Sequence, residues 1–314
     1  MSPARLAAFP GAFYARLFGN ATPRGVTSMI LGMAAFVTND TFTKLASATM
    51  PTGQLIVIRN ITATILILAL ICLTGHAGQI RHATNRAVIT RSAIDVIATL
   101  LYLLALFHMQ IGNVTAINMA TPLAMTAAAA AFLRAPVGWR RWSAVVVGFI
   151  GVLLIVQPRA EGFNFHSLSA IAAVVFIVAR DLTTRSISAA VPSLMVTLTN
   201  AIFVLIGALA LSLVEGWVAI GWKECALLFA SGIFLICGYL LIVDAFRHGD
   251  LATVNPFRYT GLIWALTFGF IVWGDVPNRL AQIGIVIVVA SGLYVLHRER
   301  LRSREEAVRK QPSA

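Results

Sequence analysis

Long runs of apolar residues, separated by short polar or Gly- and Pro-containing segments, extend along almost the whole chain. The runs cover residues 25–47, 52–73, 93–110, 112–133, 141–157, 167–186, 194–214, 225–244, 251–273 and 280–297. Each is close to the length of about 20 residues that a helix needs to cross a bilayer. Lipid offers the backbone no hydrogen-bond partner, so such segments must be helical. The pattern predicts an all-α integral membrane protein with ten transmembrane helices.

The composition excludes several classes of protein. Of the 314 residues, 59% are hydrophobic and only 11% are charged, whereas soluble domains carry about 25% charged residues. A soluble enzyme, a disordered protein and a nucleic-acid binder are therefore excluded. The net charge of +12 is consistent with a membrane protein, because most Lys and Arg residues fall in alternate segments between the apolar runs. Basic residues collect on the cytoplasmic side, so both termini are predicted to be cytoplasmic, in a multi-pass protein of the cell inner membrane.

The two ends of the chain and the cysteines lead to further expectations. Residues 1–24 are expected to form a cytoplasmic N-terminal segment and not a signal peptide, because Pro10 and Gly11 split its apolar stretch. Residues 299–314 are expected to form a basic cytoplasmic tail. The three cysteines show no paired spacing and are predicted to be small buried residues. They are Cys72, Cys225 and Cys237.

The two halves of the chain resemble each other at a nearly constant offset. Asp40 and Pro51 match Asp181 and Pro192, and further along Tyr102 and Asn118 match Tyr239 and Asn255. Each half holds five apolar runs, an odd number, so the second half must enter the membrane in the opposite sense. We therefore predict two inverted five-helix repeats, residues 25–158 and 166–298, with a binding site between them near the bilayer midplane.

These residues resemble the drug/metabolite transporter superfamily, in its ten-helix EamA-like branch. The resemblance is carried by Phe36–Asp40 with Lys44, by Asn118 with Pro122, and by the segment Asn255–Gly261. It implies that the first, third, fourth, sixth, eighth and ninth helices line the site. The motif Asn39-Asp40 with Lys44 in the first helix, and the segment in the ninth helix, are similar to those of bacterial members that take up riboflavin. They are also similar to those of members that move S-adenosylmethionine.

Charged residues inside the apolar runs are the first candidates for the site, because each costs about 2.5–3.5 kcal/mol at a helix centre unless it is paired or faces water. Arg258 and Arg59 would present guanidinium groups to a substrate. Asp40 or Asp181 would bind a coupling proton. A structural interpretation remains open, in which Asp40 pairs with Lys44, and Asp181 with Arg185, one turn along the same helix.

Prolines, amides and aromatic residues complete the candidate set. Pro122 and Pro256 are expected to break the fourth and ninth helices and so free backbone groups for a cavity. Asn118 and Asn255 lie beside these breaks and should face the interior, either toward a substrate or in interhelical hydrogen bonds. Aromatic rings could stack on a planar ligand, with packing as the alternative. The aromatic candidates are Phe36, Tyr102, Tyr239, Phe257, Tyr259 and Trp264.

The sequence lacks the motifs of several other activities. It has no Gly-x4-Gly-Lys-Ser/Thr for ATP hydrolysis and no His-Glu-x2-His for zinc, so neither a cofactor nor a metal is expected. An integral membrane enzyme or a channel is the distant alternative. The expected function is secondary transport of a small molecule by alternating access, with riboflavin uptake preferred. Amino acids, S-adenosylmethionine or related metabolites are the alternative substrates. The expected partners are the substrate and the lipid bilayer, and the sequence allows a homo-oligomer.

Overall fold

The computed structural model describes residues 23–75, 78, 80, 84–132, 138–157, 165–184, 186–188, 191–248 and 254–309. These residues form α-helices joined by short connections. The helices are α1 Pro23–Ala46, α2 Thr52–Leu73, α3 Arg86–His108, α4 Ile111–Asn118, α5 Thr121–Phe132, α6 Trp139–Val156, α7 Phe165–Thr184, α8 Ser193–Glu215, α9 Trp222–His248, a 3₁₀ turn Asn255–Tyr259, α10 Thr260–Trp273 and α11 Arg279–Arg309.

Within the described residues, eight helices are long and apolar enough to cross a membrane when α4 and α5 are taken as one. They correspond to eight of the ten predicted runs. The first run also forms a helix, α1, but Asn39 and Asp40 interrupt its apolar stretch. The ninth run is divided between the 3₁₀ turn and α10, which has only 14 residues.

The outer surface of the bundle is apolar. Leu213 and Val214 are 84% and 86% exposed, and Ile65 on α2 is 60% exposed. Soluble monomers rarely expose continuous apolar patches of this extent. The surface therefore fits a lipid environment, in which side chains that face outward need not be polar.

The most extensive helix contacts join the first half of the chain, residues 23–157, to the second half, residues 165–309. The four largest pair α1 with α9, α3 with α7, α6 with α11, and α2 with α8. Buried apolar clusters occupy these interfaces, and one of them contains Leu55, Leu106 and Leu228. The two halves are thus interleaved, so the core lies between them and not inside each half.

The pair α6 and α11 comes together at glycines. A Cβ atom built on Gly151 would lie 2.9 Å from the carbonyl oxygen of Gly284, and Gly284 faces Gly151 in return. Small residues of this kind allow two backbones to approach in a membrane, where packing and not the hydrophobic effect holds helices together.

One expectation from the sequence is wrong, and the last helix is longer than the apolar run that predicts it. All three cysteines are exposed and not buried, because the lipid-facing surface of a membrane protein accepts small apolar residues as readily as its interior does. Helix α11 does not end at the predicted span but continues to Arg309, into the segment expected to be a tail. The N-terminal residues 1–22 and the C-terminal residues 310–314 lie outside the described residues.

Replacing Gly151 with Ala should destabilise the protein. The added methyl group would meet the Gly284 backbone, which cannot move aside as a flexible side chain would, and overpacking of this kind costs about 1–3 kcal/mol. Thermal unfolding of the detergent-solubilised protein measures the effect. Gly138→Ala is the matched control, because nothing lies within 4 Å of a Cβ atom at that position. Equal melting temperatures for the two variants would contradict the close contact.

Candidate functional site

An interrupted helix of the first half meets a 3₁₀ turn of the second half inside the bundle. In the first half the interruption separates α4 from α5, and Pro122 lies in the first turn of α5. Because proline has no N–H, the carbonyl oxygen of Asn118 loses its helical partner. The Thr121 hydroxyl replaces that partner and donates to the Asn118 oxygen at 2.6 Å.

In the second half the 3₁₀ turn Asn255–Tyr259 contains Pro256 and leads directly into α10. The hydroxyl of Tyr259 donates to the carbonyl oxygen of Met119 at 3.2 Å. Met119 lies between α4 and α5, so this bond joins the two interruptions. The backbone is therefore irregular near Pro122 and around Pro256, and the two irregular segments lie side by side.

Arg258 lies next to these interruptions. Its side chain is exposed although it is surrounded by protein groups, with Asp181, Arg180 and Tyr259 as its electrostatic neighbours. Among the described residues, no side chain forms a hydrogen bond or an ion pair with the Arg258 guanidinium.

Beyond Arg258, three charged residues form a compact cluster between α3 and α7. Arg180 Nη1 lies 2.7 Å from Asp95 Oδ1, and Arg180 Nη2 and Nε lie 2.8 and 2.9 Å from Asp181 Oδ1. Asp181, a predicted site residue, therefore pairs with its sequence neighbour. Its expected partner Arg185 lies outside the described residues. Sequence reasoning missed Asp95, although a carboxylate within an apolar run is itself a signal.

Asp40 belongs to a second polar cluster, formed mainly by the first half. Its carboxylate accepts hydrogen bonds from the Tyr102 hydroxyl at 2.6 Å and from Asn39 Nδ2 at 2.9 Å. Asn39 Oδ1 in turn accepts from Ser231 Oγ on α9 at 2.7 Å, and Ser231 is 2.8 Å from Thr43 Oγ1. Asn39 and Ser231 were not predicted, since the sequence does not tell which helices face each other.

Arg59 lies beside this cluster. It is only 4% exposed, and its Nε atom is buried without a hydrogen-bond partner. Its electrostatic neighbours are Asp40, Tyr102 and Tyr239, but no carboxylate among the described residues lies within ion-pair distance. Arg59 is therefore a buried cation with free hydrogen-bonding capacity.

The aromatic candidates differ in their surroundings. Tyr239 contacts the ring of Phe36 edge to face, with centroids 5.2 Å apart. It is an electrostatic neighbour of both Arg59 and Arg180, so it connects the two clusters. Trp264 instead packs against the buried cluster that contains Met29 and lies 6.2 Å from the ring of Phe268.

Lys44 does not pair with Asp40, so this expected local pair is wrong. Its ammonium group donates to the carbonyl oxygen of Met109, at the end of α3, and lies 5.0 Å from the ring centroid of Trp273, at the end of α10. Lys44 is the last basic residue of α1, and its long side chain reaches the neighbouring helix ends in preference to the previous turn of its own helix.

The described residues contain no group of three or more His, Cys, Asp or Glu side chains that could hold a metal ion. The groups that the interior does offer are guanidinium groups, tyrosine hydroxyls, amides and aromatic faces. Such groups bind and orient a small molecule through hydrogen bonds, stacking and charge.

Comparison with known proteins places this geometry among transporters. The chain is 27% identical over 287 residues to a riboflavin transporter of Vibrio cholerae, a match that covers 90% of this chain and 96% of the relative. It is 25% identical over 189 residues to an S-adenosylmethionine uptake transporter of Rickettsia prowazekii, covering 59% of this chain and 63% of that one. It is 22% identical over 268 residues to the pseudopaline exporter CntI of Pseudomonas aeruginosa, covering 85% and 94%.

A solved crystal structure shares the fold, with a TM-score of 0.60 and 18% sequence identity over 88% of this chain and 98% of the other. The model of the EamA-like transporter family matches residues 23–157 and again residues 165–296. Because these two matches cover most of the chain, the protein belongs to the EamA-like transporter family, in the drug/metabolite transporter superfamily, and is a multi-pass membrane transporter.

Proposed function

We propose that this protein is a secondary transporter that takes up riboflavin across the bacterial inner membrane by alternating access. In this proposal the chain crosses the membrane ten times as two inverted five-helix repeats, with both termini in the cytoplasm. The two repeats move against each other around a site near the midplane, which opens to one side at a time.

The arrangement of the helices supports the inverted repeat. The contact of α1 with α9 joins the first span of one repeat to the third span of the other, and the contact of α3 with α7 is its reciprocal. Pro51 and Pro192 match in the sequence, and each caps the start of the second helix of its repeat with extended backbone. The family model also matches the chain twice, once in each half.

The single observation that carries the proposal is the contact between the interruption of α4 and α5 and the 3₁₀ turn of the second half, where Tyr259 donates to the Met119 carbonyl. Interrupted helices from both repeats form the midplane site in many secondary transporters, because their free backbone groups are tolerated only beside a cavity. Asn118 and Asn255 lie at these interruptions, and we assign them to orienting the substrate.

Arg258 and Arg59 are the groups that we assign to holding the substrate. Neither has an ion-pair partner among the described residues, so each can donate to carbonyl oxygens of a ligand. Tyr102 and Tyr239 lie next to Arg59 and would contribute hydroxyl groups and aromatic rings to the site. Trp264 would contribute its ring at the edge of the site. Asp40 and Asp181 remain predictions as proton carriers.

Riboflavin is an uncharged, planar, hydroxyl-rich molecule, and arginines, amides and tyrosines suit it. The similarity to the Vibrio cholerae riboflavin transporter over 90% of the chain supports this choice. S-adenosylmethionine, amino acids and related metabolites are the alternatives that the substrate test must separate from it. The lipid bilayer is the other partner.

A riboflavin-auxotrophic bacterium that expresses this chain should accumulate radiolabelled riboflavin in a saturable manner. Unlabelled riboflavin should suppress the uptake, whereas amino acids and S-adenosylmethionine should not. Suppression by one of these competitors would reassign the substrate. A well-expressed protein that gives no riboflavin uptake would reject riboflavin import.

Replacing Arg258 with Ala should reduce uptake by about tenfold or more without changing expression. One hydrogen bond to a charged group is worth about 1.5–3 kcal/mol, and tenfold corresponds to only about 1.4 kcal/mol. Initial rates in the auxotroph measure the effect. Arg86→Ala is the control, since Arg86 is an exposed residue at the start of α3. Unchanged uptake by the Arg258 variant would remove this residue from the site.

The topology can be tested with the native cysteines, which are all exposed. Cys225 lies at the start of α9 and Cys72 near the end of α2, so the proposed topology places them on opposite sides of the membrane. In single-cysteine variants, a membrane-impermeant maleimide should label Cys225 on intact cells and Cys72 only after permeabilisation. The reverse result would mean that the orientation is inverted. Equal labelling of both cysteines on intact cells would contradict the odd number of membrane crossings proposed between them.

A further inference from the structure

Helices α6 and α11 run antiparallel, and the contacts at their glycines fix which residues face each other. A Cβ atom built on the glycine of each facing pair would lie 2.9, 3.0 or 3.2 Å from the side chain of the other residue. These pairs are Ile155 with Gly284, Gly151 with Val288, and Gly148 with Ser291. From each pair to the next, both helices advance by four and then three residues, which is the spacing of neighbours on one helix face. The contact therefore follows a regular seam toward the start of α6.

Continuing this seam by the same steps leads to two arginines. The next pair is Ala144 and Val295, which are both buried in one apolar cluster. The pair after it is Arg141 and Arg298, each three residues further along its helix. The seam thus places an arginine of the first half beside an arginine of the second half. Like charges at facing positions repel each other, so a bound anion would stabilise this end of the two helices.

Arg140, Arg141 and Arg298 form an arginine cluster at this end of the seam. Among the side chains that the structure describes, no carboxylate lies within ion-pair distance of the three guanidinium groups. The surrounding sequence is also basic, since residues 133–142 contain three arginines and no acidic residue, and residues 297–304 contain four arginines and one glutamate. The arginine cluster therefore has a positive charge and donors that no described carboxylate occupies.

Two tryptophans flank the arginines of α6. Trp139 and Trp142 are both exposed, and the Arg140 guanidinium carbon lies 5.5 Å from the ring centroid of Trp139. Exposed tryptophans at the end of a membrane helix typically lie at the level of the lipid headgroups. The following turns of α6 expose the apolar side chains of Val146, Val147, Phe149, Ile150 and Leu153. Cations at the headgroup level beside an apolar face fit an amphipathic anion better than a free one.

We propose that the arginine cluster binds the phosphate group of an anionic phospholipid, whose acyl chains lie along the exposed apolar face of α6. Arginine suits a phosphate because its guanidinium group can donate two parallel hydrogen bonds. Basic pockets between helices on the cytoplasmic side of membrane proteins hold anionic headgroups in this way. The assignment to the cytoplasmic leaflet rests on the topology of the proposed function, which places the start of α6 in the cytoplasm. The bound lipid would join the two halves at this level.

This lipid site is separate from the proposed substrate site. Helices α6 and α11 are the fifth and tenth spans, and neither belongs to the six spans to which the substrate site is assigned. Lipid binding can therefore be measured on the purified full-length protein without any transport assay.

Native mass spectrometry of the detergent-solubilised protein measures the binding of added phosphatidylglycerol. The comparison lipid is phosphatidylcholine with the same acyl chains, because its choline group cancels the phosphate charge. Phosphatidylglycerol should bind saturably and more tightly. Arg141→Gln and Arg298→Gln should each weaken this binding by about fivefold, since one basic side chain near a phosphate contributes about 1 kcal/mol. Arg86→Gln is the matched control, because it removes one exposed arginine from the start of α3 and should leave the affinity unchanged.

Two further measurements separate a lipid site from simpler explanations. Arg141→Lys and Arg298→Lys keep the charge and should bind phosphatidylglycerol more tightly than the glutamine variants, which damage to the fold would not produce. Inorganic phosphate in large excess should not displace the lipid, because it cannot use the apolar face of α6.

Four results would overturn the inference. They are equal binding of phosphatidylglycerol and phosphatidylcholine, unchanged affinity in both glutamine variants of the cluster, an equal loss of affinity in Arg86→Gln, and full displacement of the lipid by inorganic phosphate. Reversed cysteine labelling would overturn only the assignment to the cytoplasmic leaflet. Absence of riboflavin uptake would reject only the substrate, since lipid binding is measured independently of it.

Discussion

Lipid cannot hydrogen-bond a polar group, and this constraint determines how the polar side chains inside the bundle are arranged. Many of them find a partner in the protein, and some of the partners lie on another helix, whereas the Nε atom of Arg59 has none. Asn39 bonds to Ser231 and Arg180 to Asp95, in each case across the two halves of the chain. The bonds that satisfy these groups are therefore also the bonds that hold the halves together, and any relative movement of the halves has to exchange or break them.

The same constraint explains the form of the two interruptions. A proline in a membrane helix removes a donor and leaves a carbonyl oxygen without a partner. Here the Thr121 hydroxyl satisfies Asn118, and the Tyr259 hydroxyl satisfies Met119. Because Tyr259 belongs to the second half and Met119 to the first, the interruptions stabilise each other. Arg258 follows Pro256 in the same 3₁₀ turn and therefore lies beside this contact.

The sequence predicted the elements better than their contacts. Apolar length locates the helices, and proline locates the breaks at Pro122 and Pro256, because both are properties of a local segment. The pairing of Lys44 with Asp40 was wrong because local spacing identifies only a neighbour one turn away on the same helix. Lys44 instead reaches Met109 and Trp273, which only the folded bundle brings near it. Asp95 was overlooked because its importance comes from Arg180, a residue distant in sequence.

The charges in the interior are unevenly paired. Arg180 takes both Asp95 and Asp181, and Asp40 is held by a hydroxyl and an amide, so no carboxylate among the described residues pairs with Arg59 or Arg258. Two guanidinium groups consequently keep donors that no carboxylate occupies. A bound solute with acceptor oxygens can therefore complete hydrogen bonds that the protein leaves open at these two arginines.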